Sequence, residues 1–155
     1  MKFSDALDRK QEEISRPPVL PLGHYIWQIT KHPEIDEFTS RNGDDFERIT
    51  FMVQCVSATD DVDPDQLAEY GSVSGAMNRK TFMFNNDPEK KADFENSMFN
   101  VGRFLEHCGV NQEGTTMADW LAESVNMQFI GELKHRPDPE DPEVIWTEIG
   151  KTAPV

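Results

Sequence analysis

With 155 residues, 37% of them hydrophobic, the chain is sized for one domain with a single modest core. Its formal net charge of −14 repels phosphate at long range and argues against a nucleic-acid binder that works by bulk charge alone. No apolar run approaches the roughly 20 residues of a bilayer span, and the start MKFSDALDRKQEEISR lacks the apolar core of a secretory signal, which predicts a cytoplasmic protein with no membrane partner.

Residues 1–17 carry Phe3, Leu7 and Ile14 among many charges, the pattern of a short helix or an arm. Arg16-Pro17-Pro18 ends it, because proline disfavours helical geometry in the residue before it. The domain proper spans 18–155. Its first strand is predicted from Gly23 to Lys31, where Tyr25, Trp27 and Ile29 share one face. KHPEIDEFTSRNGDD then reads as a long charged connection with a hairpin signal at Asn42-Gly43. In the second strand, FERITFMVQCV, the residues Ile49, Phe51, Val53 and Cys55 point to the core, and Arg48, Thr50, Met52 and Gln54 point away.

The stretch 57–77 holds Asp60, Asp61, Asp63, Asp65 and Glu69 with no Lys or Arg. A calcium loop would need glycine where Gln66 stands and glutamate where Ser72 stands, so a solvated loop is the reading. A third strand runs from Asn78 to Asn85. Asp87 and Pro88 then open the clearest helix, with Phe94, Met98, Val101 and Leu105 as its apolar stripe and Gly109 at its end. Thr116 caps a second, shorter helix. The fourth strand is SVNMQFIGEL, the turn RPDPEDP follows, and EVIWTEI is the fifth.

Three strands, a helix and two strands predict a mainly β fold: a five-stranded antiparallel OB-fold-like barrel with the helix between strands three and four. Barrel closure would also hide strand edges. The rival is an open α+β sheet packed on the helix.

Chemistry is sparse. Cys55 and Cys108 make neither a disulfide framework nor a zinc pair, His24, His32, His107 and His135 are scattered, and no phosphate loop or nucleophile motif occurs. No cofactor or metal is expected, and an enzyme is the weaker class. The strands offer more, because single-strand binders need cations along the backbone and flat side chains under the bases. The aromatic candidates are Tyr25 and Trp27 on the first strand and Phe82 and Phe84 on the third, all of which also suit a barrel core. The cations are Arg48, Arg79 and Lys80, with Lys31 and Arg41 toward the first hairpin. Arg48 and Met52 mark the site best, since the core phase of their neighbours drives them outward.

Read together, LPLGHYIWQI, FERITFMVQC, FNVGRFLEHCGV and WLAESVNMQFIGEL resemble the small phage-encoded single-stranded DNA-binding proteins. The likeness spans about Pro18 to Ile149, and Gly23, Tyr25, Arg103, Phe104, Leu105 and Gly109 carry it best, mostly as core and turn positions. It implies an OB-fold that coats single-stranded DNA during phage replication or recombination, dimerises in many members, and recruits replication or recombination proteins. The chain departs from that pattern at its end, WTEIGKTAPV, where an acidic tail would stand and Glu148 is the only acid. The acids sit instead at 57–77 and in RPDPEDP, where the first group is expected either to occupy the DNA groove or to contact partners. Two rival readings follow from the acidity: a protein-interaction or phage structural module, and a DNA mimic that inhibits a DNA-binding enzyme.

Overall fold

The computed structural model describes residues 2–11, 17–110 and 113–155. Its strands are β1 (Gly23–Ile29), β2 (Glu34–Thr39), β3 (Asp45–Ala58), β4 (Met77–Asn85), β5 (Gln128–Pro137) and β6 (Ile145–Ala153). Three α-helices accompany them: α1 (Pro64–Tyr70), α2 (Lys91–His107) and α3 (Met117–Glu123).

The sixth strand, β2, lies in the segment expected to be a connection. EIDEFT has too few apolar residues to show a strand pattern of its own. It is a strand because the turn at Asn42-Gly43 folds it onto β3, with Gly43 at φ +84° and Ser40 accepting from the Gly43 amide at 3.0 Å. The ladder then runs from Glu34 opposite Thr50 to Thr39 opposite Asp45.

β3 organises the sheet. One of its edges pairs with β2 over residues 45–50 and with β1 over 53–58, and the other pairs with β4 over 46–54. The remaining order is β1-β5-β6, all antiparallel. No ladder joins β4 to β6, so the sheet is not closed into the expected five-stranded barrel. The architecture is an antiparallel sheet of six strands with helices, nearer the open alternative. Side chains span the β4–β6 gap: Asn78 donates to Thr147 Oγ1 at 3.1 Å, and Lys80 Nζ donates to the carbonyl of Gly150 at 2.9 Å.

Alternation places Tyr25, Trp27, Ile29, Phe51, Val53 and Phe129 fully inside. Each such large side chain contributes about 1.5–3 kcal/mol by leaving water. α2 closes this core with Val101 and Leu105 of its expected stripe and with Phe104 beside them, whose ring lies 5.0 Å from Phe51 and 4.9 Å from Phe129. Asp87 caps the turn that precedes α2 by accepting from the Glu89 amide, and Gly109 follows α2 at φ +78°, as the sequence predicts. Thr116 and Asp119 cap α3 reciprocally.

The acidic stretch is not a bare solvated loop. Asp63 caps α1 by accepting from the amides of Asp65 and Gln66, Val62 is buried, and Leu67, Tyr70 and Val73 pack on the core. At the N-terminus a 3-10 turn spans Phe3–Ala6, with Phe3 and Leu7 exposed. Ile14 and Arg16, invoked for the arm and its end, lie outside the described residues.

Candidate nucleic-acid interface

Residues directly opposite in a ladder point to the same face. Ile49 faces Phe82, Phe51 faces Lys80 and Glu47 faces Phe84, so Phe82, Lys80 and Phe84 share the inner side of β3 and β4. Arg48 faces Met83, Thr50 faces Thr81, Met52 faces Arg79 and Gln54 faces Met77, and these eight make the outer side.

Three of the aromatic candidates are thereby corrected. Tyr25 and Trp27 are 0% exposed and Phe84 only 5%, which leaves no ring face on which a base could stack. Their polar atoms are satisfied internally, Tyr25 Oη donating to the Pro21 carbonyl at 2.6 Å and Trp27 Nε1 to that of Gly131 at 3.2 Å. Phe82 is half-buried, its ring 5.4 Å from Phe104.

The cations divide as well. Arg48 does point outward, but its guanidinium forms two hydrogen bonds to the Asp36 carboxylate, at 2.6 and 3.1 Å, and lies 5.0 Å from the centre of the Phe38 ring. That bonding holds the Asp36 carboxyl below its usual range. Arg48 therefore enters the site already paired, a correction to its place as the leading cation. Lys31 is likewise bound to Glu34 at 2.7 Å. Arg41 stands exposed in the β2–β3 turn, away from the β4 candidates in register. Lys80 points inward, and burial, followed by the nearby Lys134 charge, lowers its pKa.

Arg79 is the outward cation of β4. It is exposed and has no ion pair among the described residues. Beside it stand Met77 and Met83, exposed by 59% and 50%, and the half-buried Met52. Outward positions 48, 50, 52 and 54 on β3 and 77, 79, 81 and 83 on β4 contain no carboxylate, in a chain with 29 Asp and Glu against 15 Lys and Arg. Flat surface adjoins this face, since Phe38 and Phe46 stack at 5.4 Å with planes 14° apart.

The sequence reading missed a second cationic group. On the inner side of β4 a cleft of about 670 Å³ opens between β4, α2 and the end of β6, lined by Lys80, Arg103, His107 and Lys151 among others. Arg103 and His107, four residues apart on one helix, already shared a face in the sequence. Lys151 carried no signal, because the fifth strand was expected to end at Ile149.

Thiol chemistry finds no support next to His107. Cys55 and Cys108 are free and buried, and burial pushes their thiols up to about 11 and about 12, far from thiolate at neutral pH. Among the described residues no helix is long and apolar enough to cross a membrane, and no cluster of His, Cys, Asp or Glu suits a metal ion. A scan against protein-family models and a search of curated proteins both give no match.

Proposed function

We propose that the protein binds single-stranded nucleic acid, with little sequence preference and without catalysis, on the outer face of β3 and β4. The observation that carries this reading is the run of eight outward positions on β3 and β4 without a carboxylate, with Arg79, which has no ion pair among the described residues, standing among methionines and threonines. Acids border this strip on β2, where Glu34 lies opposite Thr50 and Asp36 opposite Arg48, so phosphate is placed toward β4. Arg79 neutralises a phosphate, while Met52, Met77 and Met83 offer polarizable apolar contact to bases. Phe38 and Phe46 extend the strip, and Arg48 joins it when Asp36 yields its guanidinium.

An OB-fold-like reading of the sheet agrees with this placement. β1 pairs with β3 and β5, β3 with β4, and β5 with β6, and a helix intervenes before β5. In a partly open barrel of that type the ligand lies across the second and third strands, here β3 and β4. The setting in phage replication or recombination rests on the sequence resemblance.

The test is fluorescence anisotropy of a dye-labelled oligo-dT, titrated at several salt concentrations. Binding is expected at low salt and weakens as salt rises, by roughly 0.7 in log–log slope per phosphate neutralised on a single strand. Arg79→Glu lowers the affinity and the slope together. No binding at low salt discards the reading.

A further inference from the structure

The cleft behind β4 has a composition that the fold alone does not require. Lys80 has a structural task there, since its ammonium donates to the carbonyls of Gly150 and Ile149 at 2.9 and 3.4 Å and bridges the open edge. Its ammonium also lies 5.3 Å from the centre of the Phe82 ring. His107 is engaged too, with Nδ1 2.8 Å from Thr152 Oγ1, joining α2 to β6. Arg103 and Lys151 have no such task. Both line the cleft, both are exposed, and neither has an ion pair among the described residues. They line it from α2 and β6, no carboxylate is among the lining residues, and a volume of about 670 Å³ is in the range of small-ligand sites.

Three cations therefore line one concavity, a charge distribution that suits an anion. The nearest acid known to act on Lys80 is Glu148, whose charge opposes the Lys134 and burial effects without cancelling them. A guanidinium fits the tetrahedral oxygens of phosphate in a bidentate fork, and the two lysines add point charges.

We propose that this cleft is a phosphate-binding site, distinct from the outer face of β3 and β4 and on the opposite side of β4. Arg103 and Lys151 are its principal ligands, and Lys80 forms its floor. A phosphodiester of a bound strand and a free polyphosphate share the chemistry that the site recognises. Where the phosphate comes from a strand, the inference rests on the proposed function. Where it is free, it does not.

The experiment follows backbone amide shifts of the ¹⁵N-labelled full chain with tripolyphosphate and, separately, with oligo-dT. Either probe is expected to shift the amides of Lys80, Arg103, Lys151 and Thr152. Shifts with tripolyphosphate alone assign a free phosphate, and shifts with oligo-dT alone assign the strand. The double variant Arg103→Glu/Lys151→Glu abolishes them, and if the strand is the source it lowers the salt slope of oligo-dT binding by roughly 1.4. Both replaced side chains are exposed, and an unchanged amide spectrum elsewhere shows that the fold is intact; Lys151→Ala, a milder change, is expected to weaken the shifts several-fold. Silence of these amides with both probes, or undiminished shifts in the double variant, overturns the proposal. Shifts confined to the outer face with oligo-dT discard the cleft and keep the proposed function, whereas cleft shifts with tripolyphosphate and no oligo-dT binding do the reverse.

Discussion

Lys80 Nζ on β4 donates to the carbonyl of Gly150 on β6 at 2.9 Å, and so links two strand edges that no backbone ladder joins. An inward-pointing charge on an open edge also hinders a foreign strand from pairing there. Lys80→Met keeps most of the side chain but leaves these carbonyls without the ammonium. Its expected cost is about 1.5–3 kcal/mol, the range for hydrogen bonds to a charged group, read from urea unfolding. Stability equal to that of the parent would show that the bridge contributes nothing.

Trp27 is expected to behave as core. Trp27→Ala costs about 3–5 kcal/mol, and Gly131→Ala about 1–3 kcal/mol. The second cost is crowding, since a Cβ at Gly131 would stand 2.8 Å from Ile149 Cγ2 and 2.9 Å from Trp27 Cδ1. Acrylamide should quench Trp146, which is 53% exposed, and leave Trp27 untouched. Efficient quenching in a chain that retains only Trp27 would contradict its burial.

Asp61 fastens the acidic segment to β1. Its carboxylate accepts from the His24 amide at 3.0 Å and the Thr59 hydroxyl at 2.8 Å, and lies 2.5 Å from His24 Nδ1. The His24 bonds, with help from Thr59, hold the carboxyl at about 2. A depressed carboxyl contributes stability that is present above the unfolded value near 3.8 and is lost as pH falls through about 2. Asp61→Asn should therefore flatten the acid limb of the stability curve below about pH 4, and speed amide exchange across residues 59–73. An acid limb identical to the parent's would show that the Asp61 carboxylate contributes nothing to stability in this pH range.

The alkaline limb has a different origin. Burial raises Tyr25 from 10.0 to about 12, Cys55 from 9.0 to about 11 and Cys108 from 9.0 to about 12. Groups with raised values contribute stability that is complete below their unfolded pKa and is lost as pH rises through the folded one. Melting temperature is thus expected to fall between about pH 9 and pH 12, and Tyr25→Phe should soften the upper part of that fall. Phenolate absorbance from Tyr25 at pH 10, before unfolding, would contradict the burial.

Asp36 restrains Arg48. Asp36→Asn should release the guanidinium, tighten oligo-dT binding and steepen its salt dependence by roughly 0.7. Stability should change little, as for other exposed ion pairs. Weaker binding in this variant would mean that the pair itself, rather than the freed arginine, forms the contact.

The alternation in FERITFMVQCV made the inner and outer sides of β3 legible, and Asp87, Thr116 and Gly109 marked the helix ends because capping is local chemistry. β2 was hidden since its strand character comes from pairing with β3 across the Asn42-Gly43 turn. The Tyr25–Trp27 stripe was ambiguous for a related reason. Alternation shows that two residues share a face, and only the sheet's curvature around Phe51 and Phe129 decides that this face is inside. The pairing of Arg48 with Asp36 joins residues on different strands, so Arg48 read as a free cation. That Arg103 and Lys151 line one cleft likewise depends on how α2 packs beside the end of β6.

Single-stranded DNA is proposed to lie on the outer face of β3 and β4, and amide shift mapping with oligo-dT at low salt locates it residue by residue. Saturable shifts are expected at Met52, Arg79 and Met83, lost in Arg79→Glu. Shifts that bypass these three residues, or none at any concentration, would place the strand elsewhere or discard its binding.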